Sequence, residues 1–308
     1  MSRVLVTGAT GFIGSQCVSQ LVEAGYEVHA VAPEGSHPDD AGVTWHCADL
    51  LEPVPVQRLL SEIRPTHLLH LAWFVAPGEF WSSTENLRWL KAGIDLATAF
   101  AERGGQRCVI AGTCAEYEET SELLVEGVTP LRPTTLYGAC KAALHLSTAS
   151  YFAERGVSAA WGHIFNLYGP REHPDRLVPS LARALTAGRT FTCHHPSDVR
   201  DFLHVEDVAS AFVALLGSGV TGDVNIASGV PTTVGRLVSM VADVVERPGL
   251  VDYRVEVPQE SRIVGDNRRL TREVGWSPRF GLRDGLEDAV RWWLNEHPDA
   301  AAREGGTE

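Results

Sequence analysis

Tyr137-Gly-Ala-Cys-Lys141 sets a phenol and an ammonium four residues apart. On a helix this spacing stacks the two groups on one face, because a turn takes 3.6 residues. The ammonium favours the phenolate and so lowers the phenol pKa. A tyrosine tuned in this way gives or takes a proton near neutral pH. The pair alone has a plain alternative, an exposed tyrosine beside a solvated lysine. Its meaning depends on the elements that carry it.

Those elements alternate. Strands are expected at residues 3–7, 26–32, 43–48, 67–71, 106–111 and 158–165, and helices at 12–24, 56–63, 83–103 and 134–155. Such alternation implies right-handed βαβ crossovers and a parallel sheet covered on both faces. Beyond Asn166 the rhythm breaks at Pro170, Pro174, Pro179 and Pro196. Helices at 207–216, 233–246, 270–275 and 282–296 and a strand at 224–227 suggest a smaller, less regular lobe. The expected division is a dinucleotide-binding domain over 1–165, with a return of about 200–228. The substrate lobe then takes 166–199 and 229–300, and 301–308 is a frayed tail.

Thr7-Gly8-Ala9-Thr10-Gly11-Phe12-Ile13-Gly14 joins the first strand to the first helix. Gly8 permits a tight turn, Gly11 lets backbone amides approach a pyrophosphate, and Gly14 lets helix and strand pack closely. The helix N-terminus then offers free N–H groups and partial positive charge to the anion. Within the first βαβ unit this loop reads as a dinucleotide site.

The formal charge of −13 argues against nucleic acid or an anionic membrane as main partner. No apolar run approaches the ~20 residues that span a bilayer, and the N-terminus enters a strand pattern with no signal segment. Six scattered cysteines without a Cys-x-x-Cys pair read as reduced thiols of a cytoplasmic protein. His194-His195 reads as loop, and no metal is expected.

The loop spacing, Gly-x-x-Gly-x-x-Gly, resembles that of the extended short-chain dehydrogenase/reductase superfamily, in its nucleotide-sugar epimerase/dehydratase/ketoreductase branch. Asp49-Leu50, His70-Leu-Ala72, Thr113-Cys-Ala-Glu-Tyr117, the Tyr137–Lys141 stretch, Asn166-Leu-Tyr-Gly-Pro-Arg171 and the stretch from Arg200 to Val208 extend the likeness over nearly the whole chain. The resemblance implies an α/β fold, a Rossmann-type doubly wound parallel sheet with a smaller mixed C-terminal substrate lobe. It implies NAD(H) or NADP(H) held by Gly8, Thr10, Gly11, Phe12, Ile13, Gly14, Asp49, Leu50, Leu71, Ala72, Tyr137 and Lys141. It also implies a nucleotide-diphosphate sugar held by Asn166, Leu177, Val178, Arg200 and Arg262. An alternative for Arg200 is an ion pair with Asp201. A homodimer through helices 83–103 and 134–155 is the family expectation. The second strand ends at Ala32 rather than on the acid that binds a ribose 2′-hydroxyl. Glu34, Ser36 and His37 follow, with no arginine near. The missing acid favours NADP(H), with NAD(H) as the alternative.

In this family a set Thr113, Tyr137 and Lys141 implies hydride transfer, with Tyr137 moving the proton. Dehydratases carry Thr-Asp-Glu, where this chain has Thr113-Cys114-Ala115. Members combining 3,5-epimerisation with reduction carry a cysteine two residues after the hydroxyl and a histidine after Tyr-Gly-Pro, where Ala115 and Arg171 stand. A reductase of a nucleotide-activated 4-keto-6-deoxysugar is the expectation. The alternatives are a 4-epimerase with retained NAD and, remotely, a non-catalytic cofactor-sensing protein. Glu116 is expected to be a solvated loop residue. The aromatic stretch from Trp73 to Trp81 reads equally as a lid, a sugar platform or core packing.

Overall fold

Val4, Leu5 and Val6 have no exposed surface, and this apolar run with its neighbours forms β1 (Arg3–Thr7) at the middle of the main sheet. The protein is seen as a computed structural model that describes residues 2–33, 35, 42–120, 122–254 and 261–296. Along the first half follow α1 (Gly14–Glu23), β2 (Glu27–Ala32), β3 (Val43–Cys47), α2 (Pro53–Ile63), β4 (His67–His70), α3 (Glu85–Glu102), β5 (Arg107–Thr113), α4 (Leu136–Arg155) and β6 (Ser158–Ile164). The second half adds β7 (Asn166–Tyr168), α5 (Leu177–Thr186), β8 (Phe191–Cys193), β9 (Val199–His204), α6 (Val205–Gly217), β10 (Gly222–Ile226), β11 (Pro231–Thr233), α7 (Val234–Val244), β12 (Val251–Tyr253), β13 (Arg262–Ile263) and α8 (Leu282–Glu296).

Seven parallel strands in the order β10-β6-β5-β4-β1-β2-β3 make a Rossmann-type sheet. One face packs on α1 and α6, the other on α2, α3 and α4. A third core lies between α5, α7 and α8. Beside it β9 pairs with β7, β11 and β13 in a separate small, mixed sheet. Thus α6 and β10 return to the large sheet, whereas β9 does not.

Two expectations past Asn166 change. The stretch around Pro179 is helical, because Pro179 lies in the first turn of α5, where its missing N–H costs no helical bond. The expected helix at 270–275 is a single wide turn at Arg269–Glu273, anchored by the fully buried Leu270. The short strands β7, β8, β11, β12 and β13 hold two or three residues each, too few for a period-2 pattern to show.

Thr7 pairs with His70, and Thr113 ends β5 beside Ile164. These ends share the carboxyl edge of the sheet, where open α/β folds bind ligands. Close approach governs the first turn there. Gly8 has φ 72°, and a Cβ on it would meet Ala72 N at 2.7 Å. A Cβ on Gly14 would collide with the Gly8 carbonyl. Gly14→Ala is therefore expected to lower the unfolding free energy by about 1–3 kcal/mol, read from denaturant titration. An unchanged midpoint would mean that the loop yields freely.

Candidate active site

Thr135 caps α4 through Oγ1, which accepts the Gly138 N–H at 3.1 Å. The cap fixes where the helix begins and puts Tyr137 and Lys141 in its first two turns, both buried. Lys141 Nζ donates to the Ala111 carbonyl at 2.8 Å and lies 4.1 Å from the centroid of the Trp73 ring. Phe80 meets Tyr137 edge to face at 4.9 Å, and Trp81 does so at 5.8 Å. The Tyr137 N–H donates to the Trp81 carbonyl at 3.2 Å. Trp73 and Phe80 are core residues, and Asn86 ties the Trp73 indole at 2.9 Å. Trp81 stays 45% exposed at the rim. The aromatic stretch is thus packed against the tyrosine and lysine, with Phe74 half-buried and Trp81 exposed.

Thr113 leaves β5 as the cap of a short turn, Cys114–Glu116. Its Oγ1 accepts the Ala115 N–H at 3.2 Å, which leaves the hydroxyl proton free to donate. Its own N–H donates to Glu116 Oε1 at 2.8 Å. Glu116 corrects an expectation: it has no exposed surface and is a buried capping carboxylate, not a solvated loop residue. The signal was present, since Thr-x-x-Glu is a capping-box pattern.

The electrostatics also differ from the helix-face argument. Burial dominates at Tyr137 and pushes its phenol well up, while a hydrogen bond with Thr113 acts in the opposite sense. Burial likewise brings Lys141 down to about 7, against an upward pull from Glu116. In the protein alone the phenol is therefore held neutral. The lysine does not make it a phenolate, because desolvation weakens the ammonium itself. His70 donates to or accepts from Thr7 Oγ1 at 2.6 Å. Burial, then Lys141, brings it down to about 3, so it is neutral.

The glycine loop fits a dinucleotide. Among the described residues no side chain caps α1. Thr10 and Gly11 are exposed, Phe12 and Ile13 half-buried, and Gly14 buried beneath them. Leu71 N–H bonds to the Thr7 carbonyl, and Ala72 borders Gly8. Asp49 is exposed and accepts the Leu51 N–H at 2.9 Å, so one of its oxygens caps its own turn beside the half-buried Leu50. Glu34, Ser36 and His37 lie outside the described residues.

At the substrate end Asn166 opens β7 with a buried Nδ2 that has no partner among the described residues. Arg200 pairs with Asp198 at 2.8 Å and donates to the Ser261 carbonyl at 2.7 Å. Asp201, the alternative partner, instead accepts from Ser228 and Gly229. Arg262 sits opposite Val199, and Ile263 opposite Arg200. Strand alternation therefore sends the two arginines to opposite faces of the small sheet. Leu177 is half-buried at the start of α5, while Val178 is taken up by the lobe core.

Sequence reasoning missed Arg176, whose guanidinium lies 5.4 Å from the Phe80 ring and acts on Tyr137. It also missed Glu172, a buried carboxyl that burial pushes up to about 8 against Arg176. It missed His145, His163 and Asp223 around Glu116. His145 lies one helical turn beyond Lys141, a spacing legible in the chain.

A UDP-glucose 4-epimerase of Mycolicibacterium smegmatis is 28% identical over 96% of this chain and 99% of its own. A dTDP-glucose 4,6-dehydratase of Streptomyces griseus is 28% identical over 95% of this chain and 94% of its own. The structure of a Thermus thermophilus UDP-glucose 4-epimerase with NAD superposes with a TM-score of 0.80 and is 29% identical, covering 94% of this chain and 98% of that one. The family model described as NAD dependent epimerase/dehydratase family matches residues 4–227, and the chain belongs to that family.

Proposed function

We propose that the protein reduces a nucleotide-activated 4-keto-6-deoxysugar, with NADP(H) as the favoured co-substrate and Thr113, Tyr137 and Lys141 as its catalytic set. The observation that carries the reading is a neutral, buried Tyr137 beside Thr113, followed by Cys114 and Ala115 rather than by a pair of acids. Burial pushes the Cys114 thiol up to about 12, so it does not shuttle protons at neutral pH.

A bound nicotinamide would supply the hydride. Tyr137 donates its proton to the carbonyl oxygen as negative charge grows there. Thr113 anchors the same oxygen: Ala115 N–H takes one Oγ1 lone pair, and the hydroxyl that meets Tyr137 turns its proton to the carbonyl. Lys141, tethered to Ala111 and Trp73, holds the nicotinamide ribose. Gly8 to Gly14 bind the pyrophosphate at the start of α1, with Asp49 and Leu50 at the adenine and Leu71 and Ala72 along the loop edge. Asn166 and Arg200 hold the sugar-nucleotide diphosphate, and Leu177 flanks the base; Arg262, on the opposite face of the small sheet, stays outside this contact. The NADP(H) preference rests on Ala32 at the end of β2, where an acid would bind a 2′-hydroxyl.

A second reading, a nucleotide-sugar 4-epimerase, is favoured by relatives of that name that match end to end. An epimerase keeps its cofactor through each cycle, whereas a reductase exchanges it. Exposed Leu87 and Ile94 on α3 and Leu146 on α4 are consistent with a homodimer through these helices.

Purified protein is expected to carry no stoichiometric NAD and to oxidise NADPH faster than NADH with a nucleotide 4-ketosugar from a panel. Tightly retained NAD⁺ with interconversion of 4-hydroxy epimers would instead establish the epimerase. Tyr137→Phe is expected to lower kcat by about 10²–10⁴-fold, as loss of a positioned proton donor does, and unchanged turnover would remove Tyr137 from the mechanism.

Lys141 gives a pH-dependent expectation. Its folded pKa, about 7, is below the ordinary 10.5. Between these values the unfolded chain holds a proton that the folded one has released, so this group adds stability as pH rises. Lys141→Met is therefore expected to raise the melting temperature of the cofactor-free protein below pH 7 and to gain less near pH 9. A gain independent of pH would show that the ammonium is solvated.

A further inference from the structure

Behind Thr113, four ionisable side chains from four segments close into a ring. Glu116 follows β5, His145 is on α4, His163 on β6 and Asp223 on β10. Each imidazole turns one nitrogen to Glu116 and the other to Asp223. His145 Nε2 lies 2.7 Å from Asp223 Oδ1, and its Nδ1 is 3.6 Å from Glu116 Oε2. His163 Nδ1 lies 3.5 Å from Glu116 Oε1, and its Nε2 is 3.7 Å from Asp223 Oδ1. Glu116 and His163 have no exposed surface, and His145 has almost none. The Trp161 indole stacks on His145 at 4.7 Å and donates to Glu116 Oε1 at 3.1 Å. Tyr117 tilts against His163 at 4.8 Å. Both main-chain groups of Thr113 meet the ring: its N–H at Glu116, and its carbonyl at 3.4 Å from His163 Nδ1.

We propose that Glu116, His145, His163 and Asp223 form a carboxylate–imidazolium ring that positions Thr113, and through it the hydroxyl facing Tyr137, for reaction. The proposal rests on the reading of Thr113 and Tyr137 as catalytic. A neutral imidazole has one N–H and would turn a lone pair toward one of its two carboxylates. An imidazolium can face both; here only His145 Nε2 to Asp223 has hydrogen-bond length, and the other three edges are ion pairs at 3.5–3.7 Å. Two imidazoliums and two carboxylates sum to zero charge, the condition under which buried ions persist. Among the described residues Lys141 acts on Glu116 from α4, and the Tyr117 ring packs on His163 while its phenol donates to Asn225. Glu126 acts on that phenol and accepts the Asn225 N–H, and Arg269 bonds the Asp223 carbonyl rather than its carboxylate.

The titration directions agree. Burial works against the charge on His163, but Glu116 and Asp223 outweigh it and raise the imidazole to about 10. Burial also opposes ionisation of Glu116, yet His163, His145 and the Thr113 N–H hold it at about 2. His145 is raised by Asp223 and Glu116 against its own desolvation. The His163 contribution to stability is full below the ordinary pKa of 6.5 and is lost as pH rises through about 10. The Glu116 contribution is full above 4.5 and is lost as pH falls through about 2. The Glu116–His163 pair is thus charged across the neutral range, and His145 is shifted in the same sense.

The test combines long-range ¹H–¹⁵N spectra of histidine-labelled protein with steady-state kinetics of Glu116→Gln and Asp223→Asn. Asp223 is the partly exposed corner, so its substitution leaves less uncompensated buried charge than that of Glu116. His163 is expected to stay protonated at pH 7.5 in the wild type and His145 to titrate above an ordinary imidazole, with both midpoints falling in both variants. Each variant is expected to lose about 10-fold or more in kcat with KM for the nucleotide sugar within about twofold, as for a misplaced reacting group. Neutral imidazoles in the wild type, a stoichiometric divalent metal found by elemental analysis, or wild-type kcat in both variants would overturn the ring. Wild-type kcat in Thr113→Val would instead overturn the reading of the site on which it rests.

Discussion

Lys141 is a cation packed beneath an indole and tied by one hydrogen bond to a strand carbonyl. Removing an ammonium from water is costly unless its surroundings replace the lost solvation. Here the replacement is modest: one carbonyl, one aromatic face and the field of Glu116. The lysine is accordingly poised close to losing its proton in the protein alone. Anything that brings a negative or hydroxyl-rich group to it would restore the charge. The same burial keeps the Tyr137 phenol protonated, so one desolvated pocket holds a neutral phenol beside a weakened ammonium.

That pocket exists because several short-range choices agree. Thr135 fixes the start of α4, Gly138 lets the helix approach the Ala115 carbonyl, and Asn86 locks Trp73 over the lysine. Each acts on the backbone or on a neighbour rather than on a ligand. Agreement of caps, glycines and packing at one point specifies a single arrangement of these groups.

What the chain makes legible follows from periodicity and steric need. The glycine loop could be read because only glycine tolerates the approach at Gly8 and Gly14. The long helices could be read because apolar residues recur over many turns. The small sheet could not, because strands of two or three residues carry no period. Tyr137, Thr113 and Lys141 do meet at one edge, as their motifs imply. The state of Tyr137 could not be read from a four-residue spacing, because burial, absent from the sequence, outweighs the neighbouring charge. Arg200 illustrates a further limit. Its side chain was visible as a cation, but its engagement with Asp198 depends on a turn between two strands.

Glu116 shows why local and tertiary information have to be read together. Thr113-Cys-Ala-Glu116 contains the full capping box, and the local pattern alone predicts the bond from Glu116 to the Thr113 N–H. On a surface this pattern would leave the second carboxylate oxygen in water. At the end of β5 it cannot, because β6, β10 and α4 enclose it. A capping carboxylate in that position needs cations around it, and His145 and His163 supply them from elements adjacent only in the folded chain. Once buried, the cap joins Thr113 to the charge state of two histidines, so the local turn and the electrostatics of the sheet edge become one problem.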